Sequence, residues 1–467
     1  MQEKTGTKVK QYLLFLPIIA VIYFVYLYLH YLDVAGFRIP IMDFCRWISW
    51  YGNRIHSGMM SFADFFHDKN EQVQPLSLGI IFSVLEASKY NMWPLIIWGG
   101  VLRILLAFVT AFFIIRETKK TEPYDKQWFG YLGAAVCILV SLNLNQWELT
   151  IEPFTLTMSV RLICFILTFC YLSSILKKLL SRSFRYQILS ILVFSIIAAA
   201  VSLLLSGAYF AAYLGSISLI FLIFCIKNRK EIKPIHIPLM LIWAMTVGAC
   251  FLFYLNTMSG GMPGDTHTPI FEYLRGFIIY IGASVVPQNL SERTLTPFLI
   301  AGIGLIVFAC FIVYISIKNK LLPRIYAPLL FVLYSIINGV IIAYGRVGYY
   351  GAGTMASSRY TVESIMGLIG LIWISVICYP SIKKLNTRKA ILWLGALAII
   401  ISTVICYRTE TEIAIYRAAY QDQMKEQMLN IDEATDDALN IFQESPEHVR
   451  NMVDFFRTNQ LSIFSGE

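Results

Sequence analysis

Acidic side chains stand just after two long apolar segments of the chain. Asp43 directly follows the apolar residues 39–42, and Glu148 and Glu152 lie four residues apart in a second polar stretch. Residues at that spacing share one face of a helix, so the two glutamates would present their carboxyl groups together. Grouped carboxylates perform general acid/base catalysis or hold a divalent cation, and the sequence leaves both roles open.

Asp43 opens a polar stretch, residues 33–91, that is rich in other ionisable side chains. We predict that Asp43 is a catalytic base, assisted by His67 and Glu71 and, from the second stretch, by Glu148. An amphipathic helix following Asp43 (residues 44–66) would hold its carboxylate at the membrane surface, where a general base acts on a lipid-borne substrate. For each single residue, the alternative is an ordinary charge in a solvated loop.

Two arginines lie among several glycines in a third polar stretch, residues 345–361. Arg346 and Arg359 carry planar guanidinium groups whose donors match phosphate oxygens, and glycines let backbone approach a ligand closely. We therefore predict that this stretch binds a phosphate or diphosphate at the lipid boundary. The predicted binding residues also include Tyr360, Trp147 and Glu152. The alternatives are a tight loop whose arginines extend to water and a tryptophan that only anchors at the interface.

Long apolar segments separate these polar stretches and must position them. The chain of 467 residues is 57% hydrophobic and only 14% charged, whereas a soluble domain carries about a quarter charged residues. Since a spanning helix needs about 20 mainly apolar residues, the sequence predicts an all-α bundle with about eleven spans. These are residues 11–32, 92–115, 127–145, 154–176, 186–206, 208–226, 237–256, 295–317, 325–345, 360–379 and 390–407.

The distribution of lysine and arginine predicts the orientation of the bundle. The apolar residues 75–85 are too short to cross a bilayer upright, so we interpret them as a re-entrant or juxtamembrane helix. Every basic cluster between spans then faces the cytoplasm, as the positive-inside rule requires. The N-terminus is then cytoplasmic, and a tight turn at residues 206–207 faces outward. We predict one transmembrane domain, residues 1–407, and an extracytoplasmic helical tail, residues 408–467.

Several classes of enzyme lack support in the sequence. It contains no HExxH, CxxC, GxSxG or Walker motif, so zinc hydrolysis, serine hydrolysis and ATP-driven transport have no motif behind them. The net charge of +9 is explained by the cytoplasmic basic clusters, and we expect no nucleic-acid partner. Most of the nine cysteines lie in apolar segments, where a free cysteine behaves as a small hydrophobic residue.

The order of these features resembles the GT-C superfamily of polyprenyl-phosphate-sugar-dependent glycosyltransferases. Three segments also resemble motifs of a group of bacterial polytopic membrane proteins: HDKNEQVQP at residues 67–75, NQWE at residues 145–148, and GR with ASSRYT within residues 345–361. The chain's NQLSIF ending is similar to the ending of that group. The chain differs from these proteins at two places. Gln72 and Val73 stand where that group has His-Arg, and Asp43 has no neighbouring acid, whereas superfamily members often carry two.

The resemblance implies glycosyl transfer on the outer face of a bacterial plasma membrane. A sugar carried on polyprenyl phosphate would move to a cell-surface glycan, teichoic acid or lipid acceptor. A carboxylate would deprotonate the acceptor hydroxyl, and arginines would hold the lipid phosphate; a divalent cation is compatible with this chemistry. The alternatives are a transporter or flippase of lipid-linked saccharides and a polysaccharide polymerase. A transporter often contains inverted repeats or paired broken helices, which the sequence does not reveal.

Overall fold

The computed structural model describes residues 2–66, 74–121, 127–257, 267–382 and 386–466, and every regular element within these ranges is helical. The predicted all-α class is therefore confirmed. The α-helices are α1 (Gln2–Ala35), α2 (Asp43–His56), α3 (Pro75–Ala87), α4 (Trp93–Thr121), α5 (Trp128–Ser141), α6 (Glu148–Ile151), α7 (Thr155–Leu176), α8 (Phe184–Val201), α9 (Phe210–Lys227), α10 (Ile237–Thr257), α11 (Ile270–Gly282), α12 (Thr296–Lys318), α13 (Tyr326–Tyr350), α14 (Ser358–Cys378), α15 (Asn386–Leu429), α16 (Asp436–Leu439) and α17 (Pro446–Asn459).

Ten segments within the described ranges are long and apolar enough to cross a membrane. They overlap the predicted spans, and the two spans predicted over residues 186–206 and 208–226 fall together in the single segment Phe184–Lys227. The predicted multi-pass helical architecture is confirmed at this level.

The segment Phe184–Lys227 consists of two helices, α8 and α9, that meet at Gly207. Gly207 has a φ of +52°, a left-handed conformation that glycine adopts without steric cost. The rings of Phe194 on α8 and Phe221 on α9 have centroids 6.3 Å apart. Because these two residues are almost equally distant from Gly207 along the chain, α8 and α9 fold back on each other.

Helix α14 is the most enclosed of the spans. It packs closely on α13, where small residues allow the two backbones to approach. A methyl group at Gly370 would lie 2.6 Å from the carbonyl oxygen of Pro328, and one at Gly367 would lie 2.7 Å from Ser335. Such close approach is how membrane helices gain dispersion contacts, because lipid gives little hydrophobic driving force between them.

The segment between α1 and α4 differs in part from its prediction. The helix that begins at Asp43 ends at His56 and does not continue to residue 66, because Gly58 takes a φ of +70° and turns the chain. Residues Phe62–Phe66 form a separate short helical turn. Helix α3 has 13 residues, a length of about 20 Å, whereas the hydrocarbon core is about 30 Å thick. Its short length agrees with the prediction that it does not cross.

The polar stretch at residues 345–361 is also more helical than predicted. Helix α13 continues to Tyr350, and α14 begins at Ser358. Arg346 therefore lies in the last turns of α13, and Arg359 in the first turn of α14. The connection between the helices is short, which fixes the two arginines on rigid elements.

The predicted tail is helical and packs on the segment between α1 and α4. Helix α15 runs without interruption from the last span to Leu429. Beyond it, Ser445 caps α17, and Pro446 occupies the first turn, where its missing N–H costs nothing. The ring of Phe455 on α17 lies 5.1 Å from that of Tyr90, centroid to centroid. The tail and the first polar stretch thus share a hydrophobic core.

Candidate functional site

Asp43 begins α2, and the residue before it has an unusual backbone conformation. Met42 has a φ of +53°, which is strained for a side chain of its size. The N–H of Met42 donates to the carbonyl oxygen of Phe442 in the tail, at 2.9 Å. The Asp43 side chain is 43% exposed and lies 3.5 Å from the Arg46 guanidinium. At a helix N-terminus and beside a cation, this carboxylate is stabilised in its charged form.

Arg46 also links this segment to the tail. Its Nε donates to Glu444 Oε2 at 2.8 Å, and the Glu444 side chain is only 7% exposed. Burial tends to raise the pKa of Glu444, but hydrogen bonds from Arg46, the Ser445 N–H and His448 outweigh it and lower the pKa. The base predicted at Asp43 is therefore anchored through Arg46 to a carboxylate that the sequence analysis did not single out.

Glu148 is buried and forms an ion pair with Arg359. Arg359 Nε donates to Glu148 Oε1 at 2.7 Å, and its Nη2 donates to the same oxygen. The Ser358 hydroxyl donates to the other oxygen, Oε2, at 2.9 Å. The carboxylate is 6% exposed, but the guanidinium is 45% exposed. Arg359 can therefore satisfy Glu148 and still present its remaining donors outward.

Glu152 is the second glutamate of the predicted pair, and its environment differs from that of Glu148. Its side chain is buried, and its Oε1 has no hydrogen-bond partner among the described residues. Burial raises the pKa of Glu152 well above its ordinary value, and the negative charges of Glu148 and Asp43 raise it further, against the opposing effect of Arg359. Burial and its acidic neighbours therefore favour the protonated form of Glu152, whereas Glu148 is paired with a cation.

The fold brings residues from three distant parts of the chain to one place. Glu152 is in electrostatic range of Asp43, Glu148 and Arg359. Arg359 Nη2 also lies 3.6 Å from the Met42 sulfur, directly beside Asp43. We call Asp43, Glu148, Glu152 and Arg359 the acidic cluster. It combines one accessible carboxylate, one paired carboxylate, one buried carboxyl with a raised pKa and one half-exposed cation.

Arg346 and Tyr360 lie beside the acidic cluster. The Tyr360 hydroxyl is in electrostatic range of both Arg346 and Arg359, so both arginines lie near this side chain. Within the described ranges Arg346 has no acidic partner. Its guanidinium is therefore available to an anion.

Trp147 contacts residues of the tail and of the segment before α12. The Arg417 guanidinium stacks over its ring at 3.3 Å from the centroid, and its indole N–H donates to Gln288 at 2.6 Å. The indole ring is thus held by stacking and by a hydrogen bond within the protein. The neighbouring Asn145 accepts from the Gln288 N–H and donates to the carbonyl oxygen of Val286. These contacts give the NQWE segment a positioning role.

The two other predicted helpers of Asp43, His67 and Glu71, lie outside the residues that the structure describes. Nearby, His56 Nδ1 lies 3.1 Å from Glu86 Oε2, which joins α2 to α3. Of the four predicted catalytic residues, the structure brings Asp43 and Glu148 near each other. The roles of His67 and Glu71 stay a prediction.

Charged residues inside the spans were missed by the sequence analysis. Arg161 Nη2 and Glu363 Oε1 are 2.5 Å apart, with both side chains almost fully buried. The Arg161 guanidinium also stacks over the Tyr209 ring, 3.8 Å from its centroid. Arg103 is buried too and donates to the Ser141 carbonyl oxygen at 3.2 Å. Ionisable residues are costly within a membrane, so their presence inside apolar segments was the signal that could have identified them.

The carboxylates of the acidic cluster could in principle coordinate a metal ion. No group of three or more His, Cys, Asp or Glu side chains in the described parts of the chain is arranged to hold a metal ion. Within the acidic cluster, Glu148 already accepts hydrogen bonds from Arg359 and Ser358. Its geometry fits proton transfer and anion binding better than coordination of a divalent cation.

The chain matches no protein-family model, no curated protein sequence and no solved structure.

Proposed function

We propose that the protein is a membrane glycosyltransferase that moves a sugar from a polyprenyl-phosphate donor to a hydroxyl acceptor on the outer face of a bacterial plasma membrane. The observation that carries the proposal is the acidic cluster. It brings together an accessible carboxylate, a carboxylate paired with a cation and a buried carboxyl whose pKa is raised. Environments that differ in this way separate the acid and base roles in enzymes.

Asp43 is the general base in this reaction. The acceptor hydroxyl attacks the anomeric carbon of the sugar while Asp43 takes the hydroxyl proton. The bond between the anomeric carbon and the phosphate oxygen breaks, and its electron pair leaves with the polyprenyl phosphate. The exposed fraction of Asp43, 43%, and its position at a helix N-terminus support this role, because the base must be both charged and accessible.

Arg346 and Arg359 bind the phosphate in this reaction. Arg346 has no acidic partner among the described residues, and Arg359 is 45% exposed despite its ion pair. As the sugar leaves, negative charge grows on the phosphate, so guanidinium groups stabilise the transition state more than the ground state. Tyr360 lies near both arginines and can donate to the sugar or phosphate.

Glu152 and Trp147 take supporting roles in the proposed site. In its protonated form, which burial favours, Glu152 can donate a hydrogen bond to a sugar hydroxyl without repelling the phosphate. Trp147, stacked under Arg417, holds the polar stretch against the tail. The catalytic geometry then depends on the tail as well as on the spans.

The proposed topology has eleven spans, with α8 and α9 counted separately and α3 outside the count. With a cytoplasmic N-terminus, this number places the acidic cluster and the tail on the outer face. The arrangement of basic side chains supports this orientation: Lys120, Lys177 and Arg324 meet at the opposite end of the bundle, where they line one cavity.

A bond-cleavage assay tests this function. The full chain, reconstituted in vesicles, is incubated with a panel of polyprenyl-phosphate-linked monosaccharides and glycan or lipid acceptors, and free polyprenyl phosphate is measured by mass spectrometry. Acceptor-dependent release is the expected result. Movement of intact donor between leaflets without release would contradict the proposal and identify a flippase. Elongation of one product by many sugar units would identify a polymerase.

A further inference from the structure

A polar cavity lies at the end of the bundle remote from the acidic cluster. It has a volume of about 280 Å³ and is formed where α4 and α7 end and α13 begins. Helices α4 and α7 both run toward it from the acidic cluster, since Gly99 near the start of α4 packs against Thr155 at the start of α7. The cavity is therefore separate from the proposed transfer site.

The charge of this cavity is strongly unbalanced. Its lining includes one acidic side chain, Glu117, among the described residues, and this carboxylate is 3.3 Å from Lys177. Five basic side chains line the same space: Arg116, Lys120, Lys177, Lys178 and Arg324. Arg116, Lys120 and Lys178 form no ion pair within the described ranges. Like charges gathered this closely repel one another unless an anion neutralises them.

A second observation indicates a ligand at the same place. Trp373 lines the cavity and is 3% exposed, yet its indole N–H has no hydrogen-bond partner among the described residues. Buried N–H donors are nearly always paired, so this donor calls for an acceptor. Ala327, in the first turn of α13, lines the cavity as well. The positive end of that helix dipole favours an anion there.

We infer that this cavity binds the phosphate group of an anionic membrane lipid. Arginine and lysine supply the charge-assisted donors, and the Trp373 N–H supplies a neutral one. The cavity lies at the ends of spanning helices, the depth expected for lipid headgroups. Phe113 and Cys170 give it apolar walls, and Ser173 and Ser174 add hydroxyl groups. Basic pockets between spans at this depth recognise anionic headgroups. The inference does not depend on the proposed transfer reaction.

The test is a lipid-binding titration with the purified full chain in neutral detergent. Phosphatidylglycerol is added, and bound lipid is counted by native mass spectrometry, with phosphatidylcholine as the neutral comparison. The site variant replaces Arg116, Lys120 and Lys178 by glutamine. Each lysine or arginine near a headgroup contributes enough that the triple change should weaken phosphatidylglycerol binding at least roughly tenfold.

A matched control removes the same charge elsewhere. Three exposed basic residues lie at the C-terminal end of α9: Lys227, Arg229 and Lys230. Their replacement by glutamine changes the net charge by the same amount as the site variant does. Like the site variant, it also removes cations from a helix C-terminus. This control should bind phosphatidylglycerol like the wild type. Trp373→Phe keeps the aromatic packing but loses the N–H, and it should weaken binding without changing the protein's size-exclusion profile.

Three results would overturn the inference. Equal weakening in the site and control triples would mean that net charge alone attracts the lipid. Unchanged binding in both the site triple and Trp373→Phe would mean that the cavity does not hold the headgroup. Displacement of bound phosphatidylglycerol by inorganic phosphate alone would assign the cavity to a soluble phosphate and not to a lipid.

Discussion

Arg359 in the first turn of α14 neutralises Glu148, a buried carboxylate that lies 211 residues earlier in the chain. The pair is asymmetric, because water reaches the guanidinium but hardly reaches the carboxylate. It joins the second polar stretch to α14 and sets the position of Glu152 and Asp43 around one cation. Loss of Arg359 and loss of Glu148 should therefore lower the free energy of unfolding by different amounts.

Removing the cation of this pair should destabilise the protein more than removing the anion. Arg359→Ala leaves a buried carboxylate without its partner, and we expect the free energy of unfolding to fall by about 2–3 kcal/mol. Glu148→Gln leaves an arginine that water can solvate, and the loss should be about 1 kcal/mol. Denaturant unfolding of the reconstituted chain measures both. Arg408→Ala, in an exposed pair with Glu412, is the control and should have almost no effect.

Removing the charge of Asp43 should abolish transfer while leaving the fold intact. Asp43→Asn preserves size and hydrogen bonding but cannot accept the acceptor's proton, so kcat should fall by roughly 10²–10⁴-fold. Asp33→Asn is the matched control, because Asp33 lies at the outer end of α1 in an exposed pair with Arg38. Wild-type turnover by folded Asp43→Asn protein would exclude Asp43 as the base.

Replacing either phosphate-binding arginine by lysine should weaken use of the donor. A lysine keeps the charge but loses the planar fork, and each charge-assisted contact contributes about 1.5–3 kcal/mol. The apparent KM for the lipid donor should therefore rise about tenfold or more in Arg346→Lys and in Arg359→Lys. Arg293→Lys, at an exposed position on the same side, should leave the KM unchanged. Unchanged KM in both site variants would mean that these arginines are structural.

The raised pKa of Glu152 should make stability depend on pH. Its proton stabilises the folded state fully below its ordinary pKa of 4.5, and this contribution is lost as the pH rises through the higher folded-state value. Glu152→Gln is neutral at every pH and lacks this dependence. From about pH 5 upward, the unfolding temperature of the wild type should therefore fall relative to that of Glu152→Gln. The exposed Glu433→Gln variant should follow the wild type; if Glu152→Gln does so too, the carboxyl is not held neutral.

The proposed orientation predicts which ends of the helices a reagent reaches from outside. In a background lacking Cys164, Cys225 and Cys310, a cysteine at Lys119 should not react with a membrane-impermeant maleimide added to intact cells. A cysteine at Asp437 in the tail should react fully. Labelling of the Lys119 position from outside would reverse the topology and move every later loop to the other face.

The spans could be predicted because hydropathy is a local property of the sequence. Even the turn between α8 and α9 was visible, since a glycine there permits the left-handed conformation that Gly207 adopts. Helix ends were harder to predict. Arg346 and Arg359 looked like loop residues because polar side chains mark both loops and the last turns of helices, and only backbone hydrogen bonds distinguish the two.

The site could be predicted only in part. Asp43, Glu148 and Glu152 were singled out by residue type and spacing, but their arrangement near Arg359 depends on how distant helices pack. The Arg46–Glu444 contact joins residues 398 positions apart, and nothing in either local sequence indicates it. Arg161 and Glu363 were overlooked because their apolar neighbours dominate the hydropathy of each span.

Helix α15 fixes the rotation of the tail about the helix axis relative to the last span. Its 44 residues make a continuous rod about 66 Å long, roughly twice the thickness of the hydrocarbon core. Each residue added to such a rod turns everything beyond it by about 100°. Met424 and Met428 lie on one buried stripe near its far end, so a single inserted residue after the last span would swing that stripe into water. The number of residues in α15 therefore sets the rotation of the tail relative to the last span.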